Sequence, residues 1–200
     1  SVFVISPYLI RNYIVFDKIV MTKSLGFNLW KGNNPFATVE GALSGKAHDY
    51  DKIFEEIKKI KKNEKFELER DNLFLEKGLK HIKDKPTTFI TMSVKRFLSL
   101  FYFNFNSSYP NYYHPLFIIP IILTGIFSTL GIIVSLKNLN NEKAYLLLHL
   151  FLTISIFSLF FILPRYKMII LPIQLIFMNY FFLELFKKNK YFKKILKEKI

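Results

Sequence analysis

From Leu116 to Leu136 the chain carries no charged residue, and the same is true from Ala144 to Leu163. From Met168 to Phe186 the one exception is Glu184, close to the end of the run. Inside a bilayer every backbone N–H and C=O must be satisfied internally, and a helix of about 20 apolar residues does this while crossing the hydrocarbon core. The three runs therefore predict three transmembrane helices, over residues 116–136, 144–163 and 168–186. Pro115 precedes the first, where its missing N–H costs no hydrogen bond. Gly125 and Gly131 lie within it and allow a neighbouring helix to come close.

The rest of the composition agrees with a chain that separates grease from charge. Hydrophobic residues make up 51% of the 200 positions and charged residues 22%, with 23 Phe, 11 Tyr and only 7 Gly. This excludes a disordered tail and an ordinary soluble enzyme. The absence of cysteine removes thiol catalysis, Cys-based zinc sites and disulfides. The formal net charge is +14. Much of the excess is the lysine-rich tail after Phe186, which suits anionic lipid headgroups and argues against nucleic acid as the partner.

Lysines also set the expected orientation. The tail and the Lys137–Lys143 connection carry most of the basic residues near the runs, so the positive-inside rule places both in the cytoplasm. Residues 7–115 and the Pro164-Arg165-Tyr166-Lys167 turn then lie outside. The opening Ser1-Val2-Phe3-Val4-Ile5 is apolar but too short to span, and residues 1–6 read as the outgoing end of a further membrane helix. The chain is thus expected to be the C-terminal part of a longer membrane protein. The expected organisation is residues 1–6 as that helix end, 7–115 as an external loop and helical segment, 116–186 as a three-helix membrane region and 187–200 as a basic cytoplasmic tail.

Within the external segment, residues 7–50 show no sustained helical period. Ile53, Ile57 and Ile60 form one stripe of a helix over 51–65. Leu68, Leu75, Leu79 and Ile82 predict a second over 67–83, and a third is expected from Thr87 to Tyr102 after Pro86. The mixed charges of 51–85 read as a solvated face, with substrate binding as the alternative.

Most chemical motifs fail on inspection. Gly41-Ala42-Leu43-Ser44-Gly45-Lys46-Ala47 has one residue too few between its glycines for a phosphate loop and lacks the Ser/Thr that holds magnesium. The four histidines are dispersed, and no metal site is expected from them. His48-Asp49-Tyr50-Asp51 reads as a turn with a helix cap. Two stretches carry more weight. Pro7-Tyr8-Leu9-Ile10-Arg11-Asn12 and Pro164-Arg165-Tyr166-Lys167 both present arginine at the expected outer interface, and a guanidinium grips phosphate in bidentate fashion. The phosphate belongs either to an ordinary lipid headgroup or to a lipid-linked substrate.

Ile10-Arg11-Asn12 and, downstream, Gly26-Phe27-Asn28-Leu29-Trp30-Lys31-Gly32-Asn33-Asn34-Pro35 resemble a pattern of the GT-C membrane glycosyltransferases. The likeness is to glycosyltransferase family 39, relatives of protein mannosyltransferases and lipid A aminoarabinose transferases. Arg165-Tyr166 ahead of Pro172 resembles a further element of that family. The resemblance implies an all-α integral membrane fold, of which this chain would hold three complete transmembrane helices and the end of a fourth. It implies transfer of a hexose or pentose from a polyprenyl-phosphate carrier to an acceptor at the outer face of a bacterial inner membrane. Arg11, Asn12, Trp30, Asn33, Arg165, Tyr166 and Lys167 are the substrate-binding residues it suggests. The family's catalytic carboxylate belongs to an early loop that has no counterpart here, so this chain alone is expected to be inactive. No cofactor is identified, and a divalent metal remains open for the full-length protein. The alternative is a non-catalytic assembly or scaffolding subunit with an external interaction domain.

Overall fold

The computed structural model describes residues 2–17, 19, 24–41 and 48–188. Most of the phosphate-loop-like run and most of the basic tail lie outside them, as do the side chains of the His48–Asp51 cluster. All regular structure among the described residues is helical. The chain divides into two compact units. One holds residues 1–92 with 159–161, and the other residues 93–158 with 162–200.

The first unit contains α1 (Val2–Phe16), α2 (Leu25–Gly32), α3 (His48–Lys59) and α4 (Phe66–Asp84), and it includes the beginning of α5 (Pro86–Phe101). Helix α1 does not stop at Pro7 but continues to Phe16. It ends with Asp17 at φ 56°, whose N–H bonds to the Tyr13 carbonyl in a left-handed helix cap. Helix α2 was not legible as a helix, because it has only eight residues. Its position is fixed by α4. A Cβ on Gly26 would stand 1.9 Å from the Asp71 carbonyl oxygen, and one on Gly78 would stand 3.2 Å from the Trp30 backbone. The core joins Trp30, Ile53 and Phe74, with Phe27, Ile57 and Leu73 packed around them. The Trp30 and Phe74 rings lie 5.0 Å apart.

The expected apolar face of α4 is displaced. The helix buries Leu68, Asp71, Phe74 and Gly78, whereas Leu79 is 52% exposed. A leucine count along the sequence finds Leu68 but misses the rest of the buried stripe, which includes a carboxylate and a glycine whose value lies in contacts to α2.

The second unit contains the rest of α5, then α6 (Pro115–Lys137), α7 (Asn141–Ser158), a short 3₁₀ turn (Pro164–Tyr166) and α8 (Lys167–Lys188). Two stretches, Pro115–Lys137 and Pro164–Lys187, are long and apolar enough to cross a membrane, and only 22% and 17% of their most apolar windows are buried. At 1.5 Å per residue α6 is about 34 Å long, which matches a bilayer's hydrocarbon core. Helix α7 falls short of the expected span: it ends at Ser158, before the run of apolar residues ends at Leu163. Leu163 is extended, with φ −119° and ψ 151°.

Helices α6 and α8 run in the same direction. Pro164 shares a hollow with Leu116 and Phe117 at their first turns. Further along, a Cβ on Gly131 would meet the Phe177 carbonyl oxygen at 1.7 Å, so this glycine is required for the approach. Beyond the end of α6, the Lys143 ammonium lies 5.3 Å from the Tyr180 ring centre. The α6 face turned inward is small and polar, with Thr124, Gly125, Ser128, Gly131 and Ser135 buried. The hydroxyls of Thr124, Ser128 and Thr129 donate to carbonyls one turn back, at 2.8, 3.0 and 2.8 Å. Small side chains let apolar helices come close, with the hydroxyls of Thr124, Ser128 and Thr129 satisfied locally and that of buried Ser135 left without a partner among the described residues. At the end of α8, Glu184 lies 3.9 Å from the Lys187 ammonium.

Candidate functional site

The residues singled out by sequence fall into two groups, one in each unit. Arg11, Asn12, Trp30 and Asn33 belong to the first. Arg165, Tyr166 and Lys167 belong to the second.

On α1, Arg11 is exposed and its Nη1 donates to Asn12 Oδ1 at 3.3 Å, while Asn12 is buried. The Trp30–Pro35 stretch is the end of α2 and the turn that follows. Trp30 is part of the core. A Cβ on Gly32 would stand 1.7 Å from the Phe160 carbonyl oxygen. The Asn33 side-chain amide donates to the carbonyls of Leu29 and Leu159, at 2.9 and 2.8 Å. Asn34 donates back to the Trp30 carbonyl at 3.0 Å and accepts from the Phe36 N–H at 2.9 Å, which closes an Asx turn around Pro35. The Asn33 and Asn34 side chains thus hold the end of α2 and the 159–161 segment in place.

The start of α2 depends on a residue that the sequence reading passed over. Asp71 is buried on α4, and its carboxylate accepts from the backbone N–H groups of Gly26 and Phe27 at 3.0 and 2.9 Å. These first-turn donors have no acceptor within their own helix, and a negative charge suits a helix N-terminus. The available signal was the placement of Asp71 between Leu68 and Phe74 on one helical face.

In the second unit, the Pro164–Lys167 turn separates its two cations. The Lys167 ammonium is turned inward and donates to the carbonyls of Leu100, Phe101 and Tyr102, at 3.1 Å for Leu100 and 3.0 Å for Tyr102. It caps the end of α5, where helix carbonyls lack partners and the dipole favours a positive charge. The Gln174 amide donates to the same Phe101 carbonyl at 2.8 Å. Arg165 is exposed, with its guanidinium 5.8 Å from the Tyr166 ring centre. Tyr166 in turn packs on Phe157, with ring centres 5.0 Å apart.

Next to Arg165 in sequence, Pro164 forms one wall of a hollow of about 450 Å³. Its other walls are Tyr109, Tyr112, His114, Leu116 and Phe117, near the first turn of α6. The 103–114 loop is held by its own tyrosines: the Asn104 N–H donates to Tyr112 Oη at 2.9 Å and the Ser107 N–H to Tyr113 Oη at 2.6 Å.

A second buried cation was also unforeseen. Arg96 on α5 is fully buried, and its Nη1 donates to the Ser158 carbonyl at 3.4 Å. Burial pushes its guanidinium down to about 10, which leaves it charged at neutral pH. Among the described residues no group of three His, Asp or Glu side chains is placed to hold a metal ion.

No family model, curated protein or solved structure matches this chain.

Proposed function

We propose that this chain is part of a membrane glycosyltransferase that uses a polyprenyl-phosphate-linked sugar, with Arg165 as the group that meets the carrier phosphate. One observation carries the reading. At the common end of two parallel apolar helices, the exposed Arg165 directly follows in sequence the proline that walls an aromatic hollow, while the neighbouring Lys167 is committed to helix carbonyls. An apolar hollow whose wall is followed in sequence by an exposed arginine suits an amphiphile with a phosphate head and a hydrocarbon tail. The glycosyl part of the proposal comes from the Arg11-Asn12 and Trp30–Pro35 motifs.

In this reading α6 and α8 cross the bilayer in the same direction. The residues between them then recross it, so that α7 and the apolar residues after it form a third span. The 7–115 segment lies on the outer face of a bacterial inner membrane and the lysine tail in the cytoplasm, in keeping with the positive-inside rule.

The test compares binding of polyprenyl phosphate with that of the corresponding polyprenol, using protein in lipid nanodiscs. A hydrogen bond to a charged group contributes about 1.5–3 kcal/mol, so Arg165→Ala should weaken the phosphate form about 10- to 100-fold and leave the alcohol unchanged. Arg165→Lys should recover part of the loss. Equal binding of both lipids by wild type and Arg165→Ala would remove Arg165 from the proposed site. Binding of the carrier with no sugar transfer by the full-length protein would favour the non-catalytic assembly subunit.

A further inference from the structure

In the first unit, the end of α2 and the Asn34–Phe36 turn face α3 and α4 across a cleft of about 260 Å³. We propose that this cleft binds a single sugar ring, with the ring's apolar face towards Phe36 and Trp30 and its hydroxyls bonded to Lys80, His81 and Asp84.

The size favours a small ligand, since pockets for drug-sized molecules start at about 300 Å³. The walls divide by chemistry. Trp30, Phe36 and Ile53 supply apolar surface, and Phe36 is 43% exposed on its turn. The α4 residues at 77, 80, 81 and 84 share one face and line the cleft with polar groups.

The cleft mixes charges, with Lys52, Lys77 and Lys80 set among Glu56 and Asp84. The Lys77 ammonium holds Glu56 Oε1 at 2.7 Å, Lys52 is engaged within the fold, and Asp84 offsets Lys80. A phosphate dianion would therefore meet Glu56 and Asp84 as well as the lysines. Burial, reinforced by Lys85 and opposed by Asp84, holds the His81 imidazole below its usual range, so at neutral pH it offers one donor and one acceptor. Lys80 adds donors and Asp84 adds acceptors. Neighbouring donors and acceptors beside an aromatic surface are complementary to a polyol ring, in which every hydroxyl both donates and accepts.

This inference does not rest on the transferase reading, because a non-catalytic subunit with a glycan-binding head would use the same cleft. The test uses the 200-residue chain, in which Trp30 is the only tryptophan. It is placed in lipid nanodiscs, which avoids sugar-based detergents. Glucose, galactose, mannose and N-acetylglucosamine are titrated separately, with inorganic phosphate and glycerol as controls. Trp30 fluorescence reports the protein and saturation-transfer NMR reports the ligand.

The expected result is saturable binding of at least one sugar with a Kd of about 1 mM or tighter. It should weaken at least about tenfold in Lys80→Ala/Asp84→Ala, whose two positions are exposed, and should be unchanged in Arg165→Ala. Phe36→Ala should weaken it as well, which guards against a fold defect in the double variant. No saturable response to any of the four sugars would overturn the proposal. So would saturable phosphate binding without sugar binding, or sugar binding that survives both cleft variants. Loss of polyprenyl phosphate binding in Arg165→Ala, with sugar binding intact, separates the two proposals.

Discussion

Replacing Asp71 with alanine measures how much of the first unit depends on a single carboxylate. Its two oxygens accept from the Gly26 and Phe27 N–H groups at 3.0 and 2.9 Å. A hydrogen bond to a charged acceptor contributes about 1.5–3 kcal/mol, and stranding a buried donor costs about 1–3 kcal/mol. Gly26 is buried and Phe27 only half-buried, so one donor is stranded and the other regains some water. The expected loss is about 3 kcal/mol, or about two orders of magnitude in the folding equilibrium. Asp71→Asn keeps one acceptor and should lose about half as much. Trp30 lies in α2 and packs on Phe74, so its fluorescence during urea titration in nanodiscs reports this unit directly. Glu76→Ala, an exposed carboxylate on the same helix, is the control and should stay within about 0.5 kcal/mol of wild type. If Asp71→Ala shifts the transition no more than Glu76→Ala does, the carboxylate is not what holds α2 to α4.

Lys167→Met should destabilise the second unit clearly more than Arg165→Met, because it takes the Lys167 donor from the Leu100 and Tyr102 carbonyls and leaves the Phe101 carbonyl with Gln174 alone; thermal unfolding in nanodiscs compares the two. In this cysteine-free chain, Lys61→Cys should react with an impermeant maleimide on intact cells, and Lys137→Cys only after permeabilisation; the reverse pattern would invert the proposed topology. His81 resists protonation in the folded state, chiefly through burial. Its contribution is therefore intact above the ordinary histidine range and is lost as pH falls through about 6.5, where the unfolded chain takes up a proton that the folded chain does not. Urea midpoints of wild type and His81→Gln between neutral and mildly acid pH should show a smaller acid loss in the variant.

The sequence was most informative where one property repeats over many residues. Length and lack of charge mark the cores of α6 and α8, since a bilayer demands a long uninterrupted run of apolar side chains. The Ile53–Ile57 spacing of α3 and the proline that opens α5 are equally local signals. The α7 run shows the limit of that reasoning: it is apolar to Leu163, yet its helix stops at Ser158. Hydropathy along a chain does not say which carbonyls will find partners outside the helix.

The candidate site was readable in its residue types but not in their roles. Arg165 and Lys167 are both cations on one turn, and no spacing rule distinguishes them. Only the fold brings three carbonyls from the end of α5 to the Lys167 ammonium and leaves Arg165 exposed. Likewise, Asp71 is one of many carboxylates in a charged stretch until α2 presents two unpaired N–H groups to it. Gly26, Gly32 and Gly131 were visible as glycines, but the backbones they admit lie far away in sequence. What this sequence determined by itself is its longer helices, above all the two apolar enough to cross a membrane, because those follow from short-range periodicity and hydrophobicity. What tertiary structure alone decided is which polar groups became structural bonds and which stayed exposed, because a hydrogen bond is made by partners that meet only when the chain folds.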